Sequence, residues 1–168
     1  LSQISDYYVR LSIRLQAAFG LRREEAIKFS PGYAIQDDHI KLKSSWTKGG
    51  RARAVPITNT EQRQLLDEVR NLAKGGSLIP PDRNYVQQLH CYERQLRNAG
   101  MTKLHGLRHA CAQRRYEEPP GWTAPAAGGP AAKSLTADQR ALDLQARAAI
   151  SRELGHNREA ISAVYLGR

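Results

Sequence analysis

The sequence predicts a mainly helical α+β domain with one small antiparallel β-hairpin. Apolar residues recur at steps of three and four along most of the chain, which is the period of an amphipathic helix. Between Asp38 and Thr58 the period changes to two, which indicates a hairpin. A chain of 168 residues is long enough for one domain with its own hydrophobic core.

The first helix is predicted over residues 1–19 and ends at Gly20, because glycine disfavours helix continuation. A second, short helix follows and closes at Pro31. Within it, Arg22 and Glu25 are spaced i and i+3, so the carboxylate can hold the guanidinium in place. An ordinary surface ion pair has the same spacing, so this pair alone does not indicate a function.

Residues 38–58 are predicted to form a basic hairpin with Lys48 at its glycine-rich tip. Apolar residues alternate with lysines on the first strand, and the alternation resumes from Arg53 on the second. Arg51 and Arg53 flank the tip, where they could contact a nucleic acid backbone. Turns are often basic simply because they are exposed to water, so this signal is weak by itself.

Three further helices are predicted before a segment that is rich in proline and glycine. Thr58 and Glu61 are spaced as a capping box that opens the first of them. A stripe from Tyr85 to Leu96 marks the second, and the third begins near Leu104. The first two carry no residues that suggest chemistry, so we predict a structural role for them.

Residues 117–136 form a segment that no regular element can cross, and we call this segment the insert. Four prolines and three glycines fall between Pro119 and Pro130. Trp122 lies in the middle, so we expect one aromatic side chain to anchor the insert to the domain. Thr136 and Gln139 then form a capping box for the next helix.

Charge favours a polyanionic partner. The chain has 26 Lys and Arg against 16 Asp and Glu, for a net charge of +10. Nucleic acid is the first expectation and an acidic membrane surface the second. Arginine outnumbers lysine 19 to 7, which suits bidentate contacts with phosphate.

The two cysteines and the hydropathy pattern bear on the compartment. Cys91 and Cys111 have no paired spacing, which argues against a disulfide scaffold and for a reducing compartment. No apolar run approaches 18 residues and no signal peptide is present, so we expect a soluble intracellular protein. The chain begins without methionine, in the middle of a helical pattern, and is expected to be part of a longer protein.

Two segments carry clusters of chemically active residues. His105 and Arg108 share a helix face close to a helix N-terminus, which favours an anion. His105 and His109 are spaced i and i+4, which suits a metal, but no third ligand is evident and we predict no metal site. Near the end of the chain, His156 precedes Tyr165 by nine residues. A short helix is predicted there with Asn157 as its N-cap, and a lone tyrosine on its buried stripe is ordinarily a core residue.

These pieces occur in one order along the chain: Gly-Leu-Arg-x-x-Glu from Gly20, Thr-Lys-Gly-Gly-Arg-x-Arg-x-Val-Pro from Thr47, His-x-Leu-Arg-His from His105, Leu-Gly-His from Leu154, and Tyr165. Together they resemble the catalytic domain of the tyrosine recombinases, the phage-type integrases. The resemblance extends from Ala17 to Tyr165. It implies a helical tyrosine-recombinase catalytic domain with a small antiparallel hairpin.

The resemblance also implies roles for the site residues. Tyr165 would attack a DNA phosphodiester to form a 3′-phosphotyrosine, and a partner strand would then displace it. Arg22, Arg108 and His156 would bind the non-bridging oxygens, and His105 would hydrogen-bond the phosphate or accept the tyrosine proton. The resemblance further implies that Lys48 would protonate the leaving oxygen and that Glu25 would orient Arg22. We expect Arg51 and Arg53, which flank the hairpin tip, to contact DNA.

The chemistry of these side chains agrees with such a reaction. A tyrosine hydroxyl has a pKa of about 10, and phosphoryl transfer builds negative charge on non-bridging oxygens. Arginines, histidines and a lysine around one phosphate address both problems. We therefore expect neither a metal nor a nucleotide cofactor.

Partners and domain limits follow from the same resemblance. We expect double-stranded DNA, a homotetramer assembled on it, accessory DNA-bending proteins, and the bacterial cytoplasm, with the protein on the nucleoid when bound to DNA. The whole chain, residues 1–168, is expected to be the catalytic domain, without the amino-terminal DNA-clamp domain of the family. Two alternatives stay open: DNA relaxation like that of type IB topoisomerases, and a DNA-binding module without catalysis.

Overall fold

The computed structural model describes residues 1–47, 49–156 and 162–168. Its helices are α1 (Tyr7–Phe19), α2 (Arg23–Ile27), α3 (Pro31–Ala34), α4 (Thr60–Ala73), α5 (Tyr85–Asn98), α6 (His105–Glu117), α7 (Ala137–Glu153) and α8 (Ser162–Leu166). Strands β1 (His39–Leu42) and β2 (Arg53–Pro56) form one antiparallel sheet. Within the described residues, no helix has the length and hydropathy needed to cross a membrane. The predicted class, mainly helical with a small hairpin, is confirmed.

Helix α1 ends where the sequence predicted but begins later. Gly20 adopts a left-handed conformation with φ of 64°, and its N–H donates to the carbonyl of Gln16. The helix begins only at Tyr7, because the carboxylate of Asp6 accepts a hydrogen bond from the N–H of Val9 and caps the first turn. The prediction that the helix spans residues 1–19 is therefore wrong at its start.

The hairpin has the predicted strands and a longer connection. Ile40 pairs with Val55, and both side chains are buried. Residues 44–46 form a short 3₁₀ helix that buries Trp46, so the strands are not joined by a tight turn. The hydroxyl of Thr47 donates to the carbonyl of Arg51 at 2.7 Å and closes the base of the connection. Lys48 lies outside the described residues.

Two of the helix boundaries that the sequence predicted from a proline or a cap residue differ in the structure, and a third is confirmed. Pro31 was expected to close the second helix; α2 ends at Ile27, and Pro31 instead opens α3, because a helix needs no N–H at its first position. Asn59 caps α4, one residue after the predicted Thr58. The capping box of Thr136 and Gln139 is confirmed at the start of α7.

Three groups of buried apolar residues hold the domain together. One lies between α1, α3, α4 and the sheet, and another between α1 and α5. The remaining group joins α6, α7, α8 and the insert, and its buried members are Ala112, Tyr116, Ala124, Ala146, Ile150, Leu154, Tyr165 and Leu166. Trp122 packs against this last group, as the sequence predicted for the insert. Tyr165 therefore lies on a core that the insert helps to build.

Candidate active site

Tyr165 lies on α8 and is almost fully buried, with 6% of its surface exposed. Its hydroxyl accepts a hydrogen bond from Nε of Arg108 at 3.3 Å. Its backbone carbonyl accepts another from the side chain of Gln113 at 3.1 Å. The ring of His156 stacks against the tyrosine ring, with centroids 5.1 Å apart and an interplanar angle of 24°. The chain therefore fixes both the ring and the backbone of this tyrosine.

Arg108 is almost fully enclosed, with 2% of its surface exposed. Its two terminal nitrogens donate to the backbone carbonyls of Gly20 and Leu154, and Nη2 also lies 3.5 Å from Nε2 of His156. Burial lowers the pKa of this guanidinium, although arginine remains charged in proteins. Nη1 has one acceptor among the described residues, so one of its N–H groups is left for a substrate oxygen.

Arg22 and Glu25 form the predicted pair at the start of α2. Nη1 of Arg22 donates to Glu25 at 3.0 Å, and the backbone N–H of Arg22 donates to the other carboxylate oxygen at 2.8 Å. The side chain of Arg22 is 26% exposed, whereas that of Glu25 is fully buried. The carboxylate thus holds Arg22 from the inside and leaves part of the guanidinium open to solvent.

Arg53 is the residue whose position the sequence did not reveal. It was predicted to contact DNA, but its side chain is only 6% exposed. Two of its nitrogens donate to the two oxygens of Glu25, each at 2.7 Å, and Nε donates to the carbonyl of Glu153 at 2.8 Å. These bonds use three of the five N–H groups of the guanidinium, so Arg53 supports Glu25, and little of its side chain is left exposed for the predicted DNA contact. Arg51, two residues earlier, is exposed.

Burial raises the pKa of Glu25, but the hydrogen bonds and charge of Arg53, followed by those of Arg22, outweigh burial and lower it. The carboxylate is therefore ionised at neutral pH. Gly155 fits closely beside this cluster: a Cβ there would meet Cδ of Arg53 at 3.0 Å, and the backbone φ is +68°. Arg53 consequently connects α2, the hairpin and the end of α7 at one point.

His156 follows Gly155 and faces Arg108. Burial, followed by the charges of Arg108, Arg22 and Arg53, lowers the pKa of His156 to about 4. The ring is thus neutral at pH 7 in the DNA-free protein. Nδ1 is buried without a hydrogen-bond partner among the described residues. If Nε2 accepts from Arg108, Nδ1 carries the proton and is a free donor.

His105 and His109 complete one wall of the site. Their ring centroids lie 6.0 Å and 4.5 Å from that of Tyr165, and the two imidazoles meet edge to face at 5.3 Å. Burial, followed by the charges of His109 and Arg108, lowers the pKa of His105. The described residues contain no group of three or more side chains that could hold a metal. Sequence reasoning treated His109 only as a doubtful metal ligand and missed its contact with the tyrosine.

A cleft of about 550 Å³ opens beside these residues, between β2 and the end of α7. Arg51, Arg53, Arg152 and His156 are among its lining residues. Of the predicted site residues, the structure brings together Arg22, Glu25, Arg53, His105, Arg108, His156 and Tyr165. Lys48 and the predicted cap Asn157 lie outside the described residues. Arginines and histidines thus surround one tyrosine hydroxyl, and cationic groups in such positions can stabilise the negative charge of a phosphoryl group.

Solved structures of recombinases share this fold. A lambda integrase dimer bound to a COC′ core site matches with a TM-score of 0.61 and 17% identity, over 96% of this chain and 42% of that one. XerH site-specific recombinase bound to palindromic difH substrate, a post-cleavage complex, matches with a TM-score of 0.57 and 22% identity, over 94% and 41%. The XerH pre-cleavage complex with difH gives a TM-score of 0.55 and 21% identity, over 94% and 42%. The chain thus spans about 40% of the length of these relatives.

Sequence comparison gives the family directly. No curated protein matches the chain. The model of the integrase family matches residues 2–114, which are 113 of the 168 residues. This match includes Arg22, Glu25, His105 and Arg108 and ends before His156 and Tyr165. The sequence motifs predicted the same family, and they lie both within residues 2–114 and after them. The chain belongs to the integrase family, with the fold of a tyrosine-recombinase catalytic domain.

Proposed function

We propose that this chain cleaves and rejoins DNA strands in site-specific recombination, through a covalent 3′-phosphotyrosine. The observation that supports this most is the hydrogen bond from Nε of Arg108 to the hydroxyl of Tyr165, in a chain of the integrase family. A phosphate bound to Arg108 would lie next to that oxygen. The same arrangement does not favour relaxation of DNA without strand exchange, or binding without catalysis, over recombination.

In this proposal, Tyr165 attacks the scissile phosphorus, and the bond from phosphorus to the 5′ oxygen breaks. Arg22 and Arg108 bind the non-bridging oxygens, where the transition state gathers negative charge. Nδ1 of His156 donates to the same oxygens, since it is buried without a partner among the described residues. Fixed donors of this kind need no reorganisation when the charge develops.

Two protons must move. His105 is exposed at the start of α6, with its ring 6.0 Å from the tyrosine ring, and we assign it the phenol proton or a hydrogen bond to the phosphate. Lys48 is assigned the protonation of the departing 5′ oxygen, on sequence grounds alone. Neither step calls for a metal or a nucleotide cofactor, because the bond energy is kept in the phosphotyrosine.

Glu25 is assigned to orient Arg22, and Arg53 to hold Glu25. The distances support this, since Glu25 receives two hydrogen bonds from each arginine. Arg51 keeps its assignment as a DNA contact because it is exposed at the edge of the cleft beside His156. The substrate in this proposal is double-stranded DNA, bound by a homotetramer, with accessory DNA-bending proteins. The cellular site is the cytoplasm, on the bacterial nucleoid.

A nicked suicide substrate tests the proposal. Cleavage next to the nick releases a short oligonucleotide, so the covalent protein–DNA complex cannot reverse and accumulates as a slower band on a denaturing gel. Tyr165→Phe keeps the ring packed and removes the attacking oxygen, so DNA binding should survive while the band disappears. Tyr7→Phe, at an exposed position, is the matched control. A covalent band in Tyr165→Phe would disprove the assignment of the nucleophile.

A further inference from the structure

The insert reaches the nucleophile helix through a chain of hydrogen bonds that starts on α7. Nε of Arg147 lies 2.9 Å from each carboxylate oxygen of Asp143. Nη1 of the same arginine donates to the carbonyl of Gly167 at 2.9 Å, two residues after Tyr165. Arg147 therefore ties the end of α8 to α7.

The other half of the chain of contacts connects α7 to the insert. The hydroxyl of Tyr116 donates to Asp143 at 2.5 Å, and Nε1 of Trp122 donates to that hydroxyl at 3.2 Å. Burial, followed by the hydrogen bond to Asp143, raises the pKa of Tyr116 to about 12, so this hydroxyl keeps its proton. Trp122, in the insert, is thereby linked through Tyr116 and Asp143 to Arg147.

Direct packing strengthens the same connection. A Cβ on Gly167 would meet the backbone nitrogen of Ala126 at 2.8 Å, so the insert lies against the backbone just beyond α8. Gly167 also has a φ of +75°, which other residues rarely adopt. Ala124 of the insert is fully buried in the same apolar group as Tyr165 and Leu166. The insert is thus part of the surface on which the tyrosine helix rests.

Helix α8 depends on such support. Its described part, Ser162–Leu166, has five residues, and short helices take most of their stability from packing rather than from intrinsic helix propensity. Arg108 contacts the tyrosine hydroxyl and Gln113 its backbone carbonyl, both from α6. Arg147 adds a hydrogen bond from α7 to Gly167, just after the tyrosine helix. Without it, the end of α8 would keep its apolar packing and lose this charged hydrogen bond to α7.

We propose that Arg147 is a positioning residue for Tyr165, and that the insert, acting through Trp122, Tyr116 and Asp143, holds this arginine in place. The insert is then an internal support that keeps the nucleophile beside Arg108. Its effect on α8 is a property of the folded chain alone. Its effect on the rate of DNA cleavage rests on the proposed function.

Amide hydrogen exchange tests the positioning without DNA. Arg147→Gln removes the charged donor, and Arg140→Gln removes an exposed arginine from the same helix with the same loss of charge. The α8 amides should exchange about 10- to 100-fold faster in Arg147→Gln than in Arg140→Gln, since a charged hydrogen bond is lost. The α1 amides should not change. Equal exchange of α8 in both variants would overturn the inference.

Arg147→Gln leaves the buried carboxylate of Asp143 without its ionic partner, and the variant could fail to fold for that reason. A milder variant covers this case. Trp122→Phe keeps a smaller aromatic ring in the insert and removes the donor to Tyr116. Loss of one neutral hydrogen bond should speed exchange of the α8 amides about 2- to 10-fold. Trp46→Phe, at a buried tryptophan far from this network in the sequence, should leave α8 exchange unchanged. An unchanged α8 in Trp122→Phe would remove the insert from the mechanism.

Cleavage then separates positioning of the nucleophile from a general structural effect. At saturating suicide substrate, Arg147→Gln should slow single-turnover cleavage about 10-fold or more, with an unchanged Kd for DNA. In a Tyr165→Phe background, hydrogen peroxide serves as an external nucleophile that attacks the phosphorus and displaces the 5′ oxygen. There Arg147→Gln should have no effect, because α8 no longer supplies the attacking atom.

The outcomes are distinguishable. Slower peroxide cleavage in Arg147→Gln would show that Arg147 acts on the phosphate-binding residues, and the inference would fail. If the parent chain forms no covalent complex, the proposed function is rejected. If the α8 amides still exchange faster in Arg147→Gln, the support of α8 by the insert is retained. Equal cleavage by Arg147→Gln and Arg140→Gln would reject the positioning role while the proposed function stands.

Discussion

The guanidinium of Arg53 and the carboxylate of Glu25 form a bidentate ion pair, with both N···O distances at 2.7 Å, across 28 positions of sequence. Glu25 is fully buried, and the side chain of Arg53 is nearly so. A buried charge without a partner is strongly unfavourable. The pair therefore sets the position of α2 relative to the hairpin, and with it the position of Arg22.

Arg53→Gln should destabilise the fold by about 3 kcal/mol, because Glu25 keeps only Arg22 as an ionic partner. Urea unfolding at pH 7 measures this. Arg51→Gln removes the same charge from an exposed position and should change stability by less than about 0.5 kcal/mol.

The same two variants separate support from DNA contact. Arg51→Gln should reduce the slope of log K for DNA against log salt by about one, whereas Arg53→Gln should leave that slope unchanged. A reduced slope in Arg53→Gln would return this residue to the set of DNA contacts, as the sequence first predicted.

Stability should fall as the pH is lowered from about 6.5 towards 4, in part because of His156. The pKa of this ring is about 4 when folded, and the ordinary value is 6.5, so the unfolded chain binds more protons between these limits. The stabilisation is complete above pH 6.5 and is lost as the pH falls through about 4. Its slope stays below the one-proton value of about 1.4 kcal/mol per pH unit.

His156→Gln should flatten that dependence, measured as the free energy of unfolding between pH 5 and 7. The lowered pKa of His105 acts in the same direction, so the variant is compared with its parent rather than with a flat line. His90→Gln, on the exposed face of α5, is the matched control. An identical slope in His156→Gln and the parent would mean that this histidine does not titrate as the structure indicates.

Chelation of divalent ions should not affect cleavage. In the proposed reaction, the cationic side chains around Tyr165 stabilise the phosphate charge without a Lewis acid. Suicide-substrate cleavage in excess EDTA should match cleavage in its absence. Inhibition by EDTA that zinc or magnesium reverses would make His105 and His109 metal-ligand candidates and would contradict the proposed chemistry.

Lys48 is tested by changing the leaving group. If Lys48 protonates the 5′ oxygen, Lys48→Ala should cleave ordinary DNA very slowly. Sulfur in place of that oxygen gives a thiolate, which leaves without a proton, so Lys48→Ala should then approach the parent rate. Arg108→Ala loses charge stabilisation instead and should stay slow on both substrates. Equal slowness of the two variants on the sulfur substrate would limit Lys48 to DNA contact.

Local signals in the sequence predicted the parts of this fold that local interactions determine. The end of α1 at Gly20 and the cap of α7 at Thr136 each depend on residues within one turn. The pair of Arg22 and Glu25 was also predictable, because the two residues are only three positions apart at the start of α2.

Interactions between distant segments were not predictable in this way. Nothing near Arg53 in sequence indicates that its partner is Glu25, since the pairing depends on how the hairpin packs against α2. Arg147 and Asp143 are four positions apart on α7, and the contact of Arg147 with Gly167 follows only from the packing of α8. The family resemblance supplied the identity of the site residues, while the structure supplied the residues that support them.

The two carbonyls that hold Arg108 belong to Gly20 and Leu154, which lie 134 positions apart in the chain. During synthesis on the ribosome, the amino-terminal part of the domain emerges first. A nascent chain that has reached only α6 already contains Arg22 and Arg108, but neither Leu154 nor Tyr165. A chain that stops there therefore lacks one of the two carbonyls that hold the Arg108 guanidinium, so this buried charge acquires both acceptors only after α7 has been synthesised.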